Sequence, residues 1–260
     1  MVPAIRAVMV VSESLLENNE DAFNKVEVYQ SPLSEHIREL RVRFLWCILM
    51  VAVNFFVIVT FFTDPLMQAL AKPIKECGIQ FIYLGLSEAL TAQLKVAFIA
   101  AVIFSMPVIF WHAWNFIKPA FYENERKSVF LFTISSVILF LIGVSFGYGI
   151  VFLSAITFFV YVGENLATPM LSISQYVDFL FSFVLSFGLV FEMPVIIYVL
   201  CRLGIVTVAQ LTAIRKYVVL GIFIVAALLT PPDVLSQVLM ALPMLLLYEI
   251  GIWVVKTSCK

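Results

Sequence analysis

From Ser128 to Gly163 the chain carries no charged side chain. As helix that run would measure about 54 Å, against roughly 30 Å of bilayer hydrocarbon. Five more apolar runs accompany it: Phe44–Phe62, about Leu94–Trp111, Val177–Leu200, Tyr217–Thr230 and about Val234–Val255. Lipid offers backbone N–H and C=O groups no partner, so such runs cross it as helices. The composition agrees, with 63% hydrophobic and only 13% charged residues and a mean hydropathy of +1.06. The expected class is an all-α membrane protein with six transmembrane helices. Two runs strain that picture. The third is too long for one crossing and too short for two plus a turn, so it is expected to leave the bilayer near Val151 and continue as an apolar loop. The fifth reaches only about 21 Å, which calls for a thinned bilayer or shielding by neighbouring helices.

Basic residues set the predicted orientation. Arg38, Arg41, Arg43, Lys118, Arg126, Lys127, Arg202, Arg215, Lys216, Lys256 and Lys260 fall on one side, and Lys72, Lys75 and Lys95 on the other. That bias places both termini in the cytoplasm. Residues 1–33 do not follow the pattern of a secretory signal, because Arg6 interrupts the apolar piece and Glu13 and Glu17 follow it. They are expected to form a variable, flexible cytoplasmic extension. Residues 34–255 then form the six-span domain, and residues 256–260 a cytoplasmic tail.

Several chemistries are excluded. A net charge of −1 offers no basic field for nucleic acid. The four cysteines lack metal-ligand spacing, and His36 and His112 are too few for a histidine-rich site, so neither metal nor cofactor is expected. Gly143-Val144-Ser145-Phe146-Gly147 fits G-x-S-x-G, a motif that needs a strand-to-helix elbow. Here it lies inside an apolar run, far from either histidine, and the glycines read as a close helix contact.

Polar residues at the predicted cytoplasmic rim are more informative. Ser34–Arg43 has the spacing of an amphipathic lead-in helix, with Ile37, Leu40 and Phe44 on one side. Its Glu39 can pair with Arg43 at i,i+4 or serve in recognition. Between the second and third runs, Phe116, Phe121 and Tyr122 neighbour Glu123 and Glu125. Carboxylates take guanidinium in a bidentate fork, and aromatic faces add cation–π contact, so this patch suits an arginine-bearing peptide. Glu192 lies inside the fourth run, where a carboxyl group costs roughly 2.5–3.5 kcal/mol without a partner. In the turn after the fifth run, Pro231 and Pro232 stop one helix and Asp233 can cap the next, with Gln237 a turn further on.

Glu39-Leu40-Arg41-Val42-Arg43, Phe116-Ile117-Lys118-Pro119-Ala120-Phe121-Tyr122 with Glu125-Arg126, Phe187-Gly188 through Phe191-Glu192-Met193-Pro194, and Leu229-Thr230-Pro231-Pro232-Asp233 with Ser236-Gln237 occur in that order. Together they resemble the TatC family, the multi-spanning subunit of the twin-arginine (Sec-independent) protein translocase. The resemblance runs from about Ser34 to Val255. It implies a concave, bowl-like bundle with short fifth and sixth helices, in the cell inner membrane. It also implies a receptor and scaffold that exports folded proteins on the proton-motive force and is not an enzyme. Glu39, Phe116 and Glu125 would bind the twin-arginine signal peptide. Glu192, Asp233 and Gln237 would meet the single-span TatA and TatB subunits, and further copies of the chain would complete the receptor complex. Glu123 adds a third acid beside Glu125, and Lys118 departs from the small apolar residue common in the family. An ion-coupled small-molecule transporter with Glu192 as its proton site is the rival reading, but no internal repeat supports it.

Overall fold

A computed structural model describes residues 35–76, 79–82, 84–121, 128–163, 170–230 and 234–258. The chain divides into two compact units, Met1–Trp46 and Cys47–Lys260. The described part of the first unit is the opening of helix α1 (Glu35–Phe61). In the second unit follow α2 (Thr63–Glu76), β1 (Gln80–Ile82), α3 (Glu88–Ile117) and α4 (Ser128–Phe146). A π-helical segment (Gly147–Phe152) then leads into α5 (Leu153–Gly163), β2 (Met170–Ser172), α6 (Ile173–Val190) and α7 (Met193–Arg202). Last come α8 (Val208–Ala213), α9 (Arg215–Leu229) and α10 (Val234–Ser258).

Five helical stretches are long and apolar enough to cross a membrane: Glu35–Phe61, Glu88–Ala120, Val129–Gly163, Ile173–Arg202 and Ser236–Thr257. Helix α9, with 15 residues, is too short to count among them. At about 22 Å it falls below the hydrocarbon thickness, as its sequence implied. Helix α10 has 25 residues and is longer than the short sixth helix implied by the resemblance. Pro243 lies inside it without ending it, and Lys256 stands in its last turn.

The third span corrects one expectation. It does not leave helical geometry near Val151 but remains helical to Gly163, 35 residues in all. No proline interrupts Ser128–Gly163, and an unpaired backbone in an apolar setting costs more than a distorted turn. The wide turns at Gly147–Phe152 keep the two halves joined. The fourth span behaves in the opposite way. Pro194, in the first turn of α7, cannot donate a backbone N–H, and the helix breaks at Phe191–Glu192 between α6 and α7.

Small residues decide how closely the spans pack. A Cβ on Gly143 would stand 2.6 Å from the Phe187 carbonyl oxygen, and one on Gly147 2.8 Å from Phe187 Cβ. From the other side, a Cβ on Gly188 would meet the Phe140 ring at 2.5 Å. Thus α4 and α6 are nearly in backbone contact, with Phe140, Phe152, Phe183 and Phe187 fully buried around the seam. Phe179 and Phe183 meet edge to face with centroids 4.5 Å apart, a favoured aromatic geometry. Gly251 of α10 makes the same accommodation for Ile197 and Pro194 of α7.

One end of the second unit is closed by a strap. Strands β1 and β2 pair in parallel, with Gln80 opposite Met170 and Ile82 opposite Ser172. Glu88, at the start of α3, gathers the surrounding donors. Its carboxylate accepts from the Leu84 N–H at 2.5 Å, the Ser174 N–H at 3.1 Å and the Ser172 hydroxyl. Ser172 in turn caps α6 through the Gln175 N–H. Nearby, Lys95 Nζ lies 2.6 Å from Asp178, an acid whose role the sequence reading did not foresee. Glu88→Ala is expected to speed amide exchange at Leu84 and Ser174 while leaving mid-span amides protected. Hydrogen exchange resolved by mass spectrometry checks this, and unchanged exchange at both amides would refute the clasp.

Candidate functional site

In the first unit, Glu39 is held by its own helix. Arg43 Nε and Nη2 both donate to Glu39 Oε1, at 2.9 and 2.5 Å. Oε2 remains on a partly exposed side chain, 3.9 Å from His36 Nδ1. The i,i+4 pair foreseen from spacing is therefore present. An incoming guanidinium has one oxygen to address directly and must compete with Arg43 for the other. Ile37, Leu40 and Phe44 all carry exposed side chains.

In the second unit, Phe116 lies half-buried in the last turn of α3, followed by a 3-10 turn over Lys118–Ala120 that ends at buried Phe121. Beneath it Trp114, Phe121, Val129 and Val199 form a buried cluster joined by Phe132 and Tyr198. This cluster roots both ends of the segment between α3 and α4 onto α7. Glu123 and Glu125 lie outside the described residues, as does Asp233.

Glu192 stands at the break between α6 and α7 and is 4% exposed. Ser136 of α4 lies beside its carboxyl group. Ser136 Oγ accepts the Trp114 indole N–H at 3.0 Å. Glu192 Oε1 is buried and has no hydrogen-bond partner among the described residues. A carboxyl group buried without a full set of partners in an apolar helix is costly, where leucine could have filled the same space. Trp114 and Ser136 were not among the residues singled out from sequence. A serine in an apolar helix gives no local sign of the tertiary partner it will meet.

Gln237 lies elsewhere, half-buried on α10, where its Nε2 donates to the Phe223 carbonyl of α9 at 3.1 Å. Ser145 donates its hydroxyl to the Leu141 carbonyl one turn back, at 2.8 Å. Its neighbours Gly143 and Gly147 serve the α4–α6 seam described above, so G-x-S-x-G is here a packing motif.

Long apolar helices with polar groups buried at membrane depth define a multi-pass membrane protein. The family model described as Sec-independent protein translocase protein (TatC) matches residues 35–243. The Sec-independent protein translocase protein TatC of Aquifex aeolicus is 37% identical over 233 residues, 88% of this chain and 96% of that one. Its Escherichia coli counterpart is 39% identical over 224 residues, 85% and 87% of the two chains. A crystal structure of the twin arginine translocase receptor TatC aligns with a TM-score of 0.80 and 36% identity, over 86% of this chain and all of the other. The chain belongs to the TatC family and is a component of a protein translocase.

Proposed function

We propose that this chain is the receptor and scaffold subunit of a twin-arginine translocase, exporting folded proteins on the proton-motive force. Both termini face the cytoplasm from the inner membrane, as the basic residues predict. Residues 34–255 form the working domain, residues 1–33 a variable extension and residues 256–260 a tail. Glu39, Phe116 and Glu125 bind the signal peptide. Two separate carboxylates neutralise its two guanidinium groups, and the aromatic ring covers the adjoining chain. Glu192, Asp233 and Gln237 meet the transmembrane helices of TatA and TatB, and copies of this chain assemble with them. The observation that carries the reading is the fold likeness to a twin arginine translocase receptor, on a chain that holds all four family motifs in order.

The test is site-directed photocrosslinking from Phe116 and Glu125 in native membranes. A leader with two arginines should crosslink at both positions, and the same leader with two lysines should crosslink much less. Lysine places one compact charge where the site offers an oxygen pair. Equal crosslinking of the two leaders, or none with either, would refute the assignment.

A further inference from the structure

Beside the strap, three spans of the second unit line an open cavity of about 390 Å³, walled by Phe55, Leu94, Lys95, Phe98, Asp178 and Phe181. That volume is in the range of sites that hold small molecules, roughly 300–1,000 Å³. Its polar and apolar parts are sorted along the helix axes. Helices α3 and α6 both run away from the strap, and each carries a charge first and a ring one turn deeper: Lys95 then Phe98, Asp178 then Phe181. Phe55 of α1 meets Phe98 edge to face with centroids 6.3 Å apart and forms the third wall. From Cys47 onward α1 buries only Ile58, and Leu94 and Phe98 stay exposed, so the cavity opens on a flank that meets lipid. At its polar end Lys95 Nζ donates to Asp178 Oδ1 at 2.6 Å and to Ser174 Oγ at 3.4 Å. An ammonium has three donors and a carboxylate two accepting oxygens, so one N–H of Lys95 and Oδ2 of Asp178 have no partner among the described residues.

We propose that this cavity binds phosphatidylethanolamine from the leaflet at the strap end: the phosphate takes the remaining N–H of Lys95, the headgroup ammonium donates to Asp178 Oδ2, and one acyl chain lies along Phe55, Phe98 and Phe181. The charge pattern selects the occupant. A cation and an anion side by side match a headgroup that carries its phosphate and its ammonium two carbons apart. Phosphatidylglycerol supplies the phosphate but brings no cation to Asp178. Phosphatidylcholine has a trimethylated nitrogen with no N–H to donate. Hydrocarbon gains little by moving from bulk lipid to an apolar cavity, so the acyl chain supplies fit and the headgroup supplies selectivity. Bound there, the lipid fills the wedge between α1 and the α3–α6 pair. The site needs only the spanning fold and is independent of the signal-peptide role of Glu125.

The test is native mass spectrometry of the full chain in detergent, titrated with phosphatidylethanolamine, phosphatidylcholine or phosphatidylglycerol of identical acyl chains. The chain should retain phosphatidylethanolamine about tenfold more strongly than either of the others, the size of one hydrogen bond between charged groups at a partly exposed site. Asp178→Asn should erase the preference over phosphatidylglycerol, and Lys95→Gln should lower retention of both phospholipids. A phosphatidylethanolamine with a diazirine in its acyl chain should label the walls of the cavity on α1, α3 or α6. Equal retention of the ethanolamine and choline lipids overturns the proposal. So does stronger retention of phosphatidylglycerol, which would make Lys95 alone the binding group. Labelling confined to other helices, or an unchanged preference in Asp178→Asn, overturns it as well. Should the variants fail to accumulate, the lipid ranking and the labelled positions in the parent chain decide alone.

Discussion

Glu125→Lys is expected to abolish export of twin-arginine cargo while the protein still accumulates in the membrane. The substitution removes a bidentate acceptor and sets a cation against two guanidinium groups. A hydrogen bond to a charged group is worth about 1.5–3 kcal/mol, so losing two and adding repulsion lowers peptide binding by more than roughly a hundredfold. Glu39 cannot take over alone, since one of its oxygens is already engaged by both Nε and Nη2 of Arg43. Glu125→Gln should be milder, because it keeps an acceptor and adds no positive charge. Reporter export and immunoblotting of membranes check the pair. Normal export by the lysine variant would sink the binding assignment.

The second large effect is structural. Gly143→Val is expected to prevent stable accumulation, or to lower the thermal stability of the purified protein sharply. The new Cβ would lie 2.6 Å from a backbone carbonyl and 2.9 Å from the Phe191 side chain. Carbonyls of a packed helix cannot rotate away, so α4 and α6 must separate. Overpacking typically costs about 1–3 kcal/mol, and a branched residue against backbone lies at the upper end or above. The clash also falls on the residue preceding Glu192. Ser145→Ala, by contrast, removes only a hydrogen bond to its own helix and should export normally. Loss of export in Ser145→Ala with normal accumulation would reopen a catalytic reading of that serine.

The spans were legible in the sequence because hydrocarbon imposes so few solutions. Helix α9 was rightly expected to be short from its 14-residue run, whereas the break of the fourth span before Pro194 was not foreseen. The course of Ser128–Gly163 was not legible. Counting residues against bilayer thickness assumes that a helix ends where lipid ends, whereas this one continues through a π-helical segment. At the candidate site, Glu192 stood out because an acid is rare in such a run, and Glu39 because of its spacing to Arg43. The tryptophan and serine near Glu192 could not stand out: indole is ordinary at a membrane boundary, and Ser136 looks no different from Ser135. Their meaning depends on neighbours 22 and 56 residues away in sequence.

The strap at the far end limits how such a molecule can move. Strand pairing and the Glu88 clasp join segments some 85 residues apart, so the ends of α3 and α6 behave there as one rigid plate. A passage cannot begin by spreading that plate without first undoing several hydrogen bonds at once.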